Sequence, residues 1–344
     1  FLRYSTQKVF LSSMSSAMML SILMRAARGE GSMGIRHGAR TGFRSYRTTR
    51  AFASQAPSRQ SGVISTEELN KMAKSASTRI IDASWHMPAT GRVGYEEYLK
   101  GPRVPNAVFF DIDRASDDSN PLPHMLPSAT DFADYVNEIG INDNDTVIVY
   151  DTIGMFSAPR VWWMFRYFQH PNVYVLNGGL PAWIESGLPL ETTEIDPKSQ
   201  PEKLTNFSAK EQKGFLVSHQ KMKELVNSGV TNIFDVRSKE RFTGQAPDPR
   251  GLRSGHMPNA VNIPFNLVLD SNGKLLPNSK LSSVFASVDM EKGVVSSCGS
   301  GVTACIVALA MYELGFRSHQ HQGIYDGAWS EWASDEGCEV LKGD

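Results

Sequence analysis

The run Cys298-Gly299-Ser300-Gly301-Val302-Thr303 is the part of this 344-residue sequence best suited to covalent chemistry. Gly293-Val294-Val295-Ser296-Ser297 before it has the length and composition of a buried strand, and 302–314 after it reads as a helix. Gly299, Ser300 and Gly301 carry little or no side chain, so the backbone between the two can curl and turn several N–H groups inward. Such a nest at a helix N-terminus concentrates partial positive charge and stabilises an anion. A thiolate held there is expected to be a competent nucleophile at neutral pH, and the same cradle suits the anionic outer sulfur of a persulfide. The plain alternative, a small buried hydrophobe, has no use for a permissive Gly-Ser-Gly run. Cys305, two turns further on among apolar residues, is expected to pack in the core. Cys338, near the polar C-terminus, reads either as an exposed redox-sensitive thiol or as an idle one. Three cysteines cannot form a full set of disulfides, which argues for a reducing compartment.

The elements that must position this loop are repeated along the chain. Ile80-Ile81-Asp82-Ala83-Ser84 matches Ile233-Phe234-Asp235-Val236-Arg237 at an offset of 153, and Val104-Pro105-Asn106-Ala107-Val108 matches Met257-Pro258-Asn259-Ala260-Val261 at the same offset. Gly179-Leu180-Pro181-Ala182-Trp183 then aligns with Tyr325-Asp326-Gly327-Ala328-Trp329 at 146, so the second copy is slightly shorter. This predicts domains at 63–189 and 207–344, joined by a linker at 190–206 that lacks an apolar period. In each half, strand-like runs alternate with helical ones: a capped helix from Thr66, a strand at Thr146-Val147-Ile148-Val149-Tyr150, a helix over 158–168. That alternation predicts an α/β fold with a mainly parallel sheet flanked by helices. Ligands in such folds sit beyond the carboxyl ends of the strands, where Cys298 lies. Asp151 takes the place of Cys298 in the first copy and cannot form a persulfide, so the first domain is expected to be a scaffold.

The run from Cys298 to Cys305, followed by Tyr325-Asp326-Gly327-Ala328-Trp329, resembles the active-site region of the tandem-domain rhodanese sulfurtransferases. The likeness extends over nearly all of 63–344, through Asp82-Ala83-Ser84-Trp85, Phe109-Phe110-Asp111-Ile112-Asp113, His124-Met125-Leu126-Pro127, Ser157-Ala158-Pro159-Arg160-Val161-Trp162-Trp163 and Gly255-His256-Met257-Pro258. It implies two rhodanese-like domains, the first lacking the catalytic cysteine, with sulfur carried on Cys298. The family's thiosulfate-preferring members have basic side chains after the cysteine. Gly299 and Ser300 are neutral and fit a singly charged carboxylate, which points to 3-mercaptopyruvate as donor and thiosulfate as a weaker one. A 2-keto carboxylate needs a cationic clamp, and an Arg fork matches carboxylate geometry. The resemblance assigns that clamp to Arg241 and Arg250, with Gly299, Gly301, Val302 and Thr303 lining the loop. It also implies a proton relay through Ser300, His124 and Asp113, which requires the site to lie between the domains. Arg237 is expected to make a structural ion pair, and Asp82 and Asp235 to serve the fold. The expected acceptors are a thioredoxin-like or small thiol, or cyanide.

Other classes fit less well. A cysteine phosphatase would need an arginine six residues after the nucleophile, where this chain has Ala304. A non-catalytic rhodanese-like binding module would have no need to retain Cys298. Neither zinc-ligand spacing nor a phosphate-binding Gly-Lys motif occurs, so no metal or cofactor is expected. Residues 1–60 hold ten Arg and Lys against Glu30 alone, leaving 25 basic and 35 acidic residues and a net charge of −10 over 61–344. So acidic a body is a poor partner for nucleic acid. The basic leader, 1–62, resembles a mitochondrial transit peptide; a secretory signal is the rival, but arginines continue well past the short apolar run at 17–24. No stretch reaches transmembrane length, and no membrane association is expected.

Overall fold

The computed structural model describes residues 61–197, 205–289, 291–317 and 322–344. The expected leader lies outside them except for Ser61 and Gly62, which both hydrogen-bond the carboxylate of Glu313. Two five-stranded sheets are present. The first comprises β1 (Val63–Ile64), β2 (Thr78–Asp82), β3 (Ala107–Phe109), β4 (Thr146–Tyr150) and β5 (Val173–Leu176) in the order β1-β5-β4-β2-β3. The second repeats that order as β6-β10-β9-β7-β8, from β6 (Leu216–Val217), β7 (Asn232–Asp235), β8 (Ala260–Asn262), β9 (Val294–Ser297) and β10 (Gln322–Tyr325). All neighbouring strands run parallel. The register makes the duplication concrete. Asp82 pairs with Tyr150 and Asp235 with Ser297, so Asp151 and Cys298 are the first residues beyond equivalent central strands.

Helices flank both sheets: α1 (Thr66–Met72), α2 (Gly94–Lys100), α3 (Ala129–Glu138), α4 (Ala158–Tyr167) and α5 (Gly179–Glu185) in the first half. The second half has α6 (His219–Ser228), α7 (Lys239–Phe242), α8 (Asn278–Val284), α9 (Ala304–Glu313) and α10 (Ala328–Trp332). Their starts follow local chemistry. The Ser65 hydroxyl accepts from the Glu68 N–H while the Glu68 carboxylate accepts from the Ser65 N–H, a reciprocal cap. The helix expected from 302 begins at 304, because 301–303 are used in turning the loop. Nearly every residue of α9 is buried, as expected of a helix apolar on all sides. It packs on α4, its counterpart in the first half, with Trp162 edge-on to Tyr312 at 5.4 Å. One hydrophobic core therefore runs through both halves.

The described residues on either side of 198–204 contact the first half. Glu191 forms a bridge with Arg103, whose buried guanidinium donates to the Glu191 carboxylate at 2.7 Å and to the Thr193 carbonyl. Phe207 packs among Phe132, Phe165 and His170, and Ser208 binds Asp143. Among the described residues no helix is long and apolar enough to cross a membrane.

Candidate active site

Cys298 leaves β9 buried, at 2% exposure, and its carbonyl accepts the Trp329 N–H at the start of α10. The Gly299 carbonyl accepts both the N–H and the hydroxyl of Ser330. Helix α10 thus braces the loop from behind. Gly301 needs its glycine, with φ +81° and with a Cβ landing 2.9 Å from the Asp326 carbonyl. Gly299 is crowded by side chains instead. A Cβ there would lie 3.0 Å from Arg250 and 3.4 Å from Arg241, so both guanidinium groups lie directly against the residue next to the cysteine.

Asp248, which the sequence reading passed over, organises that pair. Its buried carboxylate accepts from the Arg241 guanidinium at 2.7 Å and from the Arg250 N–H at 2.9 Å. Arg250 reaches on to the Ser300 hydroxyl at 3.1 Å. Arg241 Nε is buried with no protein partner among the described residues, leaving a donor unused.

The three relay candidates form one chain across the two halves. Ser300 Oγ is 3.1 Å from His124 Nδ1, and His124 Nε2 is 3.0 Å from Asp113 Oδ1. Arginine only donates, so Ser300 Oγ accepts from Arg250, and His124 Nδ1 lies 3.3 Å from the Ser300 carbonyl as well as 3.1 Å from its hydroxyl. The hydrogen bond from His124, with the Trp85 indole N–H at 3.1 Å, holds the Asp113 carboxyl below its ordinary range, so it stays ionised. Trp85 also meets the His124 ring edge-on at 4.8 Å. His124 itself sits at φ +62°, an unusual backbone for a non-glycine residue that aims its ring at the loop. Val302 is buried and Thr303 half-buried at the start of α9.

A buried ion pair fastens these parts together. Arg160 of α4 donates to Asp326 Oδ1 at 2.6 Å, and to the carbonyls of His124 and Gly301. Asp326 Oδ2 accepts the Leu126 N–H at 2.7 Å. Burial pulls the Arg160 pKa down, but Asp326 and Cys305 together more than offset it and leave it above its ordinary value. Neither residue stands out in the sequence as a pair, since they are far apart in the chain.

In the first half the equivalent cradle is filled by the protein itself. The Asp151 carboxylate accepts the N–H groups of Ile153, Gly154, Phe156, Ser157 and Ala158 at 2.8–3.0 Å. A rhodanese-like domain model matches 65–186 and again 218–335. The chain belongs to the rhodanese family. It is 41% identical to human 3-mercaptopyruvate sulfurtransferase over 259 residues, covering 74% of this chain and 84% of that one. It is 38% identical to the Arabidopsis thaliana mitochondrial thiosulfate/3-mercaptopyruvate sulfurtransferase 1 over 306 residues, covering 83% and 80%. The crystal structure of SseA from Escherichia coli, a 3-mercaptopyruvate sulfotransferase, superposes with a TM-score of 0.70 at 35% identity, covering 78% of this chain and 99% of that one.

The other two cysteines are also buried. Cys305 is in the core, where burial pushes its thiol far up, in keeping with a packing role. Cys338 is not exposed as one reading held. It is 4% accessible, and burial pushes its thiol up to about 11. Arg237 pairs with Asp235 over the Trp329 ring, a buried structural contact.

Proposed function

We propose that this rhodanese-family chain moves a sulfur atom from 3-mercaptopyruvate to a thiol or cyanide through a persulfide on Cys298, releasing pyruvate. The observation that carries this reading is the placement of the Arg241 and Arg250 guanidinium groups against Gly299, beside a buried cysteine at a strand-to-helix turn. The two cations suit the carboxylate and keto oxygens of the donor. The Cys298 thiolate attacks the donor sulfur; the S–S bond forms as the C–S bond breaks, and the electron pair leaves on carbon as the enolate of pyruvate. Ser300 hands that enolate a proton, with His124 and Asp113 behind it. The proton lost as the new persulfide ionises restores the relay. An acceptor thiolate then takes the outer sulfur and returns the Cys298 thiolate, which makes the kinetics ping-pong.

Gly299 and Ser300 add no charge to the loop, which favours this monoanionic donor over dianionic thiosulfate as the main one. The name of the Arabidopsis relative couples both donors, so thiosulfate is retained as a side activity. That relative's mitochondrial designation supports the mitochondrial reading of the basic leader. The test is mass spectrometry of the intact protein after mercaptopyruvate without acceptor. A single-sulfur adduct on Cys298 and release of one pyruvate per site are expected, both lost in Cys298→Ser. Pyruvate release at the wild-type rate from Cys298→Ser would overturn the proposal.

A further inference from the structure

Residue spacing predicts no metal site, yet folding gathers three side chains of metal-ligand type just beyond the C-terminal end of α10. His219 is the first residue of α6; Asp335 and Cys338 follow α10. His219 Nε2 is 2.9 Å from Asp335 Oδ2, and Cys338 Sγ is 3.5 Å from the same oxygen and 3.9 Å from the same nitrogen. Tetrahedral zinc binds nitrogen and oxygen at about 2.0–2.2 Å and thiolate at about 2.3 Å, which sets its donor atoms roughly 3.3–3.7 Å apart. The separations of 2.9, 3.5 and 3.9 Å straddle that range, so shifts of a few tenths of an ångström would bring the three atoms onto one face of that tetrahedron.

Two further features bear on an ion there. The other nitrogen of His219 is held from behind: Nδ1 is 2.7 Å from the Tyr325 hydroxyl and 3.7 Å from Glu331 Oε2, the outer support usual for a metal-bound imidazole. In addition, three donors converge on one oxygen, since the Lys223 ammonium joins His219 and Cys338 at Asp335 Oδ2, at 2.5 Å. That ammonium occupies the oxygen a metal ion would bind and so competes with it. Its side chain is about a third exposed and can swing away. His219, Asp335 and Lys223 are all partly open to solvent, so an ion has a way in.

We propose that His219, Asp335 and Cys338 bind one divalent zinc-type cation, with water as fourth ligand. A nitrogen, a carboxylate oxygen and a sulfur donor suit a borderline ion and exclude magnesium or calcium. On binding, three coordinate bonds form, the thiol proton of Cys338 passes to solvent, and Lys223 releases Asp335. The site ties α6 to the end of α10, the helix whose first turn braces Cys298 and Gly299. It is therefore structural, and distinct from the sulfur-transfer chemistry.

The test uses the full chain carrying Cys298→Ser, freed of metal by a chelator and titrated with Co2+ and then Zn2+. One equivalent of Co2+ is expected to produce a thiolate-to-cobalt charge-transfer band that Zn2+ abolishes. The band is lost when Cys338→Ala is added, and Lys223→Met tightens binding several-fold. Absence of the band, or its survival in the Cys338→Ala protein, overturns the site. Should Cys338→Ala fail to fold, Lys223→Met decides, because unchanged affinity places the cobalt elsewhere and overturns the site equally.

Discussion

Arg250 does two jobs with one side chain: it lies against Gly299, where the proposed donor would sit, and it holds the Ser300 hydroxyl at 3.1 Å. Hydrogen bonds to charged groups are worth about 1.5–3 kcal/mol, so Arg250→Ala is expected to lower kcat/KM for mercaptopyruvate by about 10- to 100-fold. Pyruvate release at varied donor concentration measures this, and a change below twofold would remove Arg250 from the site. Both arginines could be singled out from the sequence because they follow a strand within a Gly- and Pro-containing stretch of a recognisable family. Asp248 could not. Its role depends on a turn that presents one oxygen to the Arg241 guanidinium and the other to the Arg250 backbone, and nothing in Pro247-Asp248-Pro249 announces that geometry. The burial of Cys338 was hidden for a similar reason. Its neighbours in sequence are polar, while those in space include Trp332 and Met222 of the second domain's own core.

Among the elements, β2 and β7 show how a duplicated pattern diverges. Asp235 is answered by the charged Arg237, whereas Asp82 meets neutral donors, the N–H and hydroxyl of Ser84 and the Tyr150 hydroxyl. Burial, only partly offset by those hydrogen bonds, lifts the Asp82 carboxyl to about 6 from its ordinary 3.8. A raised native pKa means the folded state holds the proton more tightly than the unfolded chain. The contribution is complete below pH 3.8 and is lost as pH rises through 6. Wild type should therefore lose stability relative to Asp82→Asn between about pH 4 and 6, as followed by urea unfolding at each pH; a constant difference would count against it. Element identities were the most legible level of all. The strand at 146–150 came out as expected, and the helix at 158–168 came out one residue shorter, since an unbroken apolar run beside a helical period leaves little choice.

At the level of the whole molecule, Arg160 and Asp326 join the two domains in the register that brings Ser300, His124 and Asp113 together. Removing one partner of a buried ion pair leaves an uncompensated charge and costs about 3–5 kcal/mol. Asp326→Ala is thus expected to destabilise the protein by that order, whereas the paired change Arg160→Met with Asp326→Leu recovers much of it without restoring full activity. Denaturant unfolding with a parallel activity assay tests both, and equal stability of the single and paired variants would sink the argument. This level was the least legible, because which residues meet across the docking of α4 on α9 is set by the packing of two surfaces. Only the requirement that Asp113 and His124 of one domain meet Ser300 of the other hinted at it.

The filled cradle around Asp151 bears on how this molecule handles charge over time. Helices α4 and α9 start beside the two loops and lie against each other. In the proposed cycle the loop at Cys298 passes between thiolate and persulfide, and admits and releases a charged donor. Its twin, sealed by five N–H donors around a fixed carboxylate, passes through no such cycle. One end of the shared helix pair is electrostatically still while the other end works. On that proposal the duplicated domain serves as ballast: a fixed charge beside which a single sulfur comes and goes without disturbing the packing that joins the halves.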